Sequence, residues 1–182
     1  MTLPGNEAEL LTRVVSGDRA AFDAIMRTHQ DRVFSVCLRI LGDRERALDA
    51  TQDTFLIVFR KANQFQGRSA LGTWIYRIAV NTCYDHLRRA QRRPIQPLPE
   101  LHDPSDPSAE EAIESAALRP EIETALARIP TDFRDAVILS DLEGLTMSEV
   151  AEVLGVPVGT VKSRVFRGRR LLAEHLGNRY DP

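Results

Sequence analysis

A segment near the C-terminus places cationic, hydroxyl and aromatic side chains on one face of a predicted helix, which is the chemistry needed to read DNA bases. The opposite side of this helix carries an apolar stripe from Val161 to Leu176, which leaves Phe166 with nothing of its own domain to pack on. A solvated basic face is the alternative, but the position of Phe166 favours DNA recognition. The candidate residues are Gly159, Thr160, Lys162, Ser163, Arg164, Phe166, Arg167 and Arg170.

The residues before this helix predict how it is positioned. Thr146 and Glu149 have the spacing of a capping box at the start of a short helix. Gly155 supplies the backbone freedom that ends the short helix, and the longer basic helix begins after Pro157. A short helix, a glycine-containing turn and a basic second helix form the helix-turn-helix pattern, whose second helix enters the DNA major groove.

A predicted helix over residues 73–90 carries a second candidate surface. Trp74, the only tryptophan, shares a face with Arg77 and Asn81, whereas Tyr76 is predicted to face the core. Aromatic rings stack on bases, cations bind phosphates and amides reach base edges, so this face is suited to single-stranded nucleic acid. The alternative is an ordinary amphipathic helix with a tryptophan at its boundary. The predicted face consists of Trp74, Arg77, Asn81, Tyr84, Asp85 and Arg88.

A third surface is predicted on the preceding helix, over residues 43–62. Its inward stripe comprises Ala47, Thr51, Phe55, Val58 and Ala62, with Phe59 beside it. Another side carries Glu45, Asp49, Gln52 and Asp53. This second side is either an exposed polar face or an acidic docking surface for a basic helix of a partner, and the spacing alone leaves both open.

Residues 94–119 differ from both flanking parts, since they contain five prolines and six acidic residues and no Phe, Tyr or Trp. This composition predicts an extended acidic linker. A passive tether and an acidic strand that mimics nucleic acid in a basic channel both remain open. Helical periodicity recurs on either side without strand alternation. We therefore expect an all-α fold with a helical domain over 1–93, the linker over 94–119 and the helix-turn-helix domain over 120–182.

The composition excludes several classes of protein. The chain has 182 residues and a net charge of −2, so a nucleic-acid partner requires clustered basic residues. Cys37 and Cys83 lie in apolar helical patterns, which predicts buried thiols. We find no secretory or membrane-spanning segment and expect a cytoplasmic chain without membrane insertion. No nucleophile–base pair, metal-spaced cluster or phosphate-binding glycine loop stands out, so we expect no enzyme activity, cofactor, metal or small-molecule substrate.

Three segments resemble a known family: DATQDTFLIVFRKANQF, GRSALGTWIYRIAVNTCYDHLRR and LEGLTMSEVAEVLGVPVGTVKSRVFRGRRLL. The likeness, from about Leu10 to Leu176, is to the extracytoplasmic-function sigma factors of the sigma-70 family. The resemblance implies a bacterial transcription-initiation subunit that binds core RNA polymerase and promoter DNA, with an anti-sigma factor as a further partner. A stand-alone helix-turn-helix repressor is the competing interpretation, but it would leave the surfaces of the first domain without a use.

The resemblance also implies a role for each surface. The helix over 43–62 would dock on the clamp helices of the largest polymerase subunit through Asp49, Gln52, Asp53 and Phe55. The C-terminal helix would read the −35 promoter element, with Thr160, Ser163, Phe166, Arg167 and Arg170 at matching positions. The −10 element would be read as it melts. Residues implied there are Gly67, Arg68, Ser69, Ala70, Leu71, Trp74, Tyr76, Arg77, Asn81, Asp85 and Arg88.

The departures from the family's larger members give further expectations. The N-terminal inhibitory region and the extra middle domain of housekeeping sigma factors have no counterpart, and we expect no regulatory C-terminal extension. One tryptophan stands where housekeeping factors carry a neighbouring aromatic pair. We therefore expect a factor that needs a closely matched promoter.

Overall fold

The computed structural model describes residues 4–92 and 120–177, and within these ranges every regular element is helical. The predicted all-α fold is confirmed, while the linker over residues 94–119 lies outside the described residues. The helices are α1 (Pro4–Val15), α2 (Arg19–Leu41), α3 (Arg44–Lys61), α4 (Leu71–Arg92), α5 (Pro120–Ala127), α6 (Thr131–Val137), α7 (Met147–Leu154) and α8 (Val158–His175).

Side-chain caps and left-handed glycines set the helix boundaries of the first domain. The Asp18 carboxylate accepts the amide of Ala21 at the start of α2. Gly42 ends this helix with φ +66°, a backbone conformation that glycine adopts without strain. Asp43 then accepts the amide of Arg46 and starts α3. The start of α3 after Asp43 agrees with the helix predicted over residues 43–62.

The second domain contains the predicted helix-turn-helix, α7 and α8. The Thr146 hydroxyl accepts the Glu149 amide while the Glu149 carboxylate accepts the Thr146 amide, so the capping box is complete. Gly155 ends α7 with φ +66°. The helix before this motif, α6, is α-helical only to Val137 and continues as a wider π-helical turn over Ile138–Leu142.

Most buried apolar residues of the two domains form one continuous cluster, and Leu126, Ile129 and Val137 form a second cluster within the second domain. In the first domain α2, α3 and α4 bury residues such as Val33, Val58 and Ile75, and Cys37 and Cys83 are buried there as predicted. The cluster continues into the second domain through Ile138 and neighbouring apolar residues. Helix α4 packs against α7, and α2 packs against the π-helical turn. The two domains therefore meet along α4, a contact that the sequence analysis did not predict.

Candidate nucleic-acid and polymerase interfaces

The predicted reading face of α8 is open to solvent. Phe166 is 71% exposed, whereas Val161, Val165 and Gly168 on the opposite side are buried against the rest of the domain. An exposed aromatic ring in a basic face is available to a thymine methyl group or a base edge. Among the other predicted residues, Gly159, Lys162, Ser163, Arg167 and Arg170 are exposed, and Thr160 and Arg164 are half-buried.

Some arginines of α8 form ion pairs within the domain, and others are exposed and accessible to a ligand. Arg169 donates two hydrogen bonds of 2.7 and 2.8 Å to the Asp141 carboxylate, so its guanidinium ties α8 to the π-helical turn over Ile138–Leu142. Arg164 donates to Asp132 of α6 at 2.8 Å. Arg167, by contrast, lies on the open face beside Phe166.

The loop between α3 and α4 joins the start of α4 to form a cavity of about 290 Å³. Arg68 and Ser69 of the loop and Trp74 and Arg77 of α4 contribute to its walls. Two cations, a hydroxyl and an aromatic ring therefore converge at one cavity, which is a combination suited to an unstacked base and its phosphate. Glu152 of α7 also lines the cavity, so the second domain forms part of its wall.

Three residues predicted to contact the −10 strand are buried in this arrangement. Trp74 is 7% exposed because its ring packs edge-on against Phe65, with centroids 5.3 Å apart, and because α4 lies under α7. Tyr76 is 4% exposed, consistent with its position on the inward face, and Leu71 is 3% exposed. The prediction that Trp74 lies on an open face is therefore wrong in this arrangement, whereas the burial of Tyr76 agrees with its predicted inward position. The −10 roles that the resemblance implies for the three residues stay predictions.

The remaining predicted −10 residues are accessible. Asn81, Asp85 and Arg88 lie exposed further along α4, away from the cavity walls, and Arg88 is hydrogen-bonded to Asp85. Gly67, Arg68 and Ala70 are exposed in the loop, while Ser69 and Arg77 are half-buried. The structure thus brings the loop and the first turns of α4 together but leaves Asn81 as part of a separate stretch of the same helix.

The predicted docking face of α3 is largely exposed. Asp49 and Gln52 are exposed, and Asp53 is half-buried with its carboxylate 2.9 Å from the His86 ring of α4. Phe55 is only 3% exposed, so its predicted contact with a partner is wrong for this arrangement. Its burial follows from its place in the inward stripe, at helical spacing from Thr51 and Val58.

Sequence reasoning missed three exposed apolar residues on α3. Leu48, Leu56 and Phe59 are 45%, 52% and 47% exposed. Leu48, Gln52 and Leu56 recur every four residues, so they lie along one side of the helix beside the acidic residues. A helical projection that included leucines outside the inward stripe would have found this mixed surface.

Helix α4 also contacts α6 through Tyr84, whose hydroxyl donates to the Asp135 carboxylate. Asp135 is fully buried. Burial raises the pKa of this carboxyl to about 6, although the Tyr84 hydrogen bond and the neighbouring Arg134 guanidinium act in the opposite direction. Burial and the Asp135 charge likewise raise the pKa of Tyr84.

The described parts of the chain offer neither a metal site nor a membrane-spanning helix. Among residues 4–92 and 120–177, no group of three or more histidine, cysteine, aspartate and glutamate side chains is arranged to hold a metal ion. No described helix is both long and apolar enough to cross a bilayer.

Comparison with known proteins agrees with the geometry. Residues 25–93 match the family model of sigma-70 region 2, and residues 119–172 match that of sigma-70 region 4. The chain is 39% identical over 172 residues to the ECF RNA polymerase sigma factor SigM of Mycobacterium tuberculosis, covering 94% of this chain and 85% of that protein. It is also 39% identical over 167 residues to ECF RNA polymerase sigma factor SigE of Mycolicibacterium smegmatis, covering 88% of this chain but only 65% of SigE.

The fold also resembles that of a solved structure, the sigma factor RpoE of Bartonella quintana in complex with the anti-sigma factor NepR. The TM-score is 0.70 at 23% identity, with 87% of this chain and 98% of that chain covered. The two matched regions coincide with the domain that carries α3 and α4 and the domain that carries the helix-turn-helix. The chain therefore belongs to the extracytoplasmic-function sigma factors of the sigma-70 family, which are non-enzymatic subunits that initiate transcription with RNA polymerase.

Proposed function

We propose that this sigma factor directs core RNA polymerase to promoters through two separate DNA-reading surfaces. Helix α8 reads the −35 element as duplex, and the α3–α4 loop with α4 captures one strand of the −10 element as it melts. The observation that carries this proposal is the occurrence of two surfaces that combine cations with an aromatic ring, one around Phe166 and one around Trp74. A simple repressor would need only the first.

The −35 proposal is supported by the exposure of the α8 face. Major-groove readout requires hydrogen-bond donors and an apolar contact presented on the outer side of a helix whose inner side is buried. Arg167 and Phe166 satisfy this requirement. We assign the whole predicted set to this role: Gly159, Thr160, Lys162, Ser163, Arg164, Phe166, Arg167 and Arg170.

The −10 proposal is supported by the cavity that Arg68, Ser69, Trp74 and Arg77 line. An unstacked base that enters it would meet an aromatic ring and two cations, so stacking of about 1–3 kcal/mol per base would offset the cost of unpairing. Asn81 and Arg88 extend this surface along exposed α4. Tyr76 takes part only if the second domain moves away from α4, because its hydroxyl donates to Glu143. Leu71 is buried and would need to become exposed.

Docking on polymerase is proposed for α3. Asp49, Gln52 and Asp53 supply charge and hydrogen bonding, and Leu48 and Leu56 add apolar surface beside them. A basic helix of the clamp of the largest catalytic subunit fits this combination, because opposite charges steer the encounter and apolar contacts bury area.

Three further proposals complete the functional assignment. The domain limits are 1–93, 94–119 and 120–182, consistent with the two family matches. An anti-sigma factor is a partner, by analogy with the solved complex of RpoE with NepR. The chain works in the bacterial cytoplasm, where its polymerase is.

Run-off transcription with purified core polymerase and a genomic promoter library tests the proposal. We expect transcripts from a small set of promoters that share a −35 and a −10 motif. A mobility-shift assay on those promoters, with and without core enzyme, separates this function from that of a repressor. Tight duplex binding by the free chain, together with no transcription when polymerase is present, would contradict the proposal.

A further inference from the structure

The proposed docking side of α3 carries two carboxylates that are held differently. Asp49 is exposed, whereas Asp53 contacts α4: its Oδ2 lies 2.9 Å from Nε2 of His86. An ionised carboxylate only accepts hydrogen bonds, so the imidazole is the donor in this pair. Asp53 therefore belongs to the docking side of one helix while a side chain of another helix holds it.

The pair combines an anchored donor with an accessible acceptor. The His86 side chain is 16% exposed, whereas the Asp53 side chain is 45% exposed. Among the described residues, His86 is the one polar partner recorded for the Asp53 side chain, and the contact uses Oδ2. The second carboxylate oxygen, Oδ1, therefore remains available to a cation from outside the chain.

Helical spacing explains why the two side chains meet at the edge of the α3–α4 contact. Ala79 and Cys83 of α4 are buried, and His86 continues their stripe as a half-buried residue. Helix α3 packs against α4. Asp53 directly precedes the buried Thr54, so it lies at the border between the buried and exposed sides of α3. The hydrogen bond therefore forms where the docking side begins.

We propose that His86 is a positioning residue for polymerase docking, which holds the Asp53 carboxylate in one orientation for a basic helix of the partner. This inference rests on the proposed docking function of α3. A side chain that becomes fixed only when the partner binds loses rotamer freedom at that step, and this loss weakens binding. His86 restricts Asp53 before the encounter, so the affinity for core polymerase should depend on a residue that lies on α4.

Two substitutions of His86 in the full-length chain differ in reach and test this role. The amide nitrogen of glutamine extends about as far from the backbone as Nε2 of the imidazole, whereas that of asparagine extends only as far as Nδ1. We expect His86→Asn to bind core polymerase about three-fold to ten-fold more weakly than the natural chain, because Asp53 loses its donor. His86→Gln retains a donor for Oδ2 and should bind with close to the natural affinity. Fluorescence anisotropy of the labelled chain measures both affinities.

A double-mutant cycle separates positioning of Asp53 from a general disturbance of α4. Once Asp53→Asn has removed the charge, the further change His86→Asn should weaken binding little more. Combined with Asp49→Asn, the same change should keep its full effect, because Asp49 is not bonded to His86. A merely structural role of His86 would give the same additional loss in both backgrounds.

The single variants separate failure of this inference from failure of the proposed docking function. Natural affinity in both Asp49→Asn and Asp53→Asn would contradict the docking function, and the inference with it. If these variants bind weakly, the inference alone is overturned by natural affinity in His86→Asn, by equal losses in His86→Gln and His86→Asn, or by the same additional loss in both backgrounds.

Stability measurements accompany each affinity. Circular dichroism and urea unfolding establish that each variant is folded before its affinity is compared. His86→Ala also removes the donor and adds no bulk, so it replaces His86→Asn if that variant does not fold. The same weakening of binding and the same pattern in the two backgrounds are expected of it, and their absence would overturn the inference.

Discussion

Individual side chains determine which face of the recognition helix is available to DNA. Phe166 and Arg167 are exposed because the buried side of α8 is supplied by Val161, Val165 and Gly168. Arg169 lies beside them in the sequence but is committed to Asp141. Arg167 is therefore available to DNA, whereas Arg169 holds α8 in place. Substitution of Arg167 should affect promoter selection, and substitution of Arg169 should affect the packing of α8.

Arg167→Ala should weaken −35 selection. Removal of one base contact is expected to cost about 1–3 kcal/mol, or roughly ten-fold to hundred-fold in promoter preference. Competition between matched and mismatched −35 sequences in reconstituted transcription measures this ratio. Arg128→Ala, an exposed arginine of the same domain outside α8, is the control. An Arg167→Ala holoenzyme with the natural preference would remove this residue from the reading face.

Gly168→Ala should destabilise the second domain. A Cβ atom at this position would lie 2.5 Å from Val137 Cγ2 and 2.9 Å from the Phe133 carbonyl oxygen, so the backbone of α6 would have to shift. We expect a loss of about 1–3 kcal/mol in the free energy of unfolding, measured with urea. Gly159→Ala, with open space around its Cβ, is the control. Equal free energies of unfolding for the two variants would show that α6 shifts to accommodate the added methyl group at little cost.

At the scale of elements, α3 and α4 each present two different surfaces. Helix α3 buries Ala47, Phe55 and Val58 and exposes Asp49 with Leu56 on its other side. Helix α4 buries one side in its own domain and meets the second domain with another. Periodicity predicts the buried Ala47, Phe55 and Val58 of α3, whose packing partners α2 and α4 belong to the same domain, but it missed the exposed Leu48 and Leu56.

Asp49→Lys should weaken the binding of core polymerase. Reversal of one charge at a complementary interface places like charges together, and we expect a loss of about 1–2 kcal/mol, or roughly ten-fold in affinity. Fluorescence anisotropy of the labelled chain with core enzyme at low salt measures it. Asp23→Lys makes the same charge reversal at an exposed position of α2, and this variant should bind core polymerase with the natural affinity. If both variants bind alike, α3 does not supply the proposed docking face.

At the scale of the whole molecule, the contact between the domains decides which predicted residues are accessible. The helices, their caps and the exposed α8 face follow from local spacing and could be predicted. The pairing of Tyr76 with Glu143 could not, because Glu143 lies 67 positions away in the chain. The burial of Trp74 could not either, because it depends on how the Phe65 ring and neighbouring helices pack on α4. A helical projection predicts which residues share a face of a helix, but it does not predict which other element packs on that face.

The same contact should make stability depend on pH through Asp135. Burial raises the pKa of this carboxyl from 3.8 to about 6, while Tyr84 of α4 and Arg134 and Asp132 of α6 face it. Because the folded chain then holds the proton more tightly than the unfolded chain, this stabilisation is full below about pH 4 and is lost as pH rises through about 6. The change is about 3 kcal/mol.

Asp135→Asn isolates this contribution, since the amide stays neutral at every pH. The difference in the free energy of unfolding between the natural chain and Asp135→Asn should change between pH 4 and 6 and level off above that. Urea titrations at a series of pH values measure the difference. Parallel pH profiles for the two chains would contradict the raised pKa of Asp135.

Two reading surfaces that act at separate promoter elements require the two domains to move apart when the factor works. Energy transfer between dyes at Asn63→Cys and His175→Cys, both exposed positions, measures this most directly, because the natural thiols of Cys37 and Cys83 are buried. The account predicts high transfer in the free chain and low transfer in the complex with polymerase and promoter. Equal transfer in both states would contradict it.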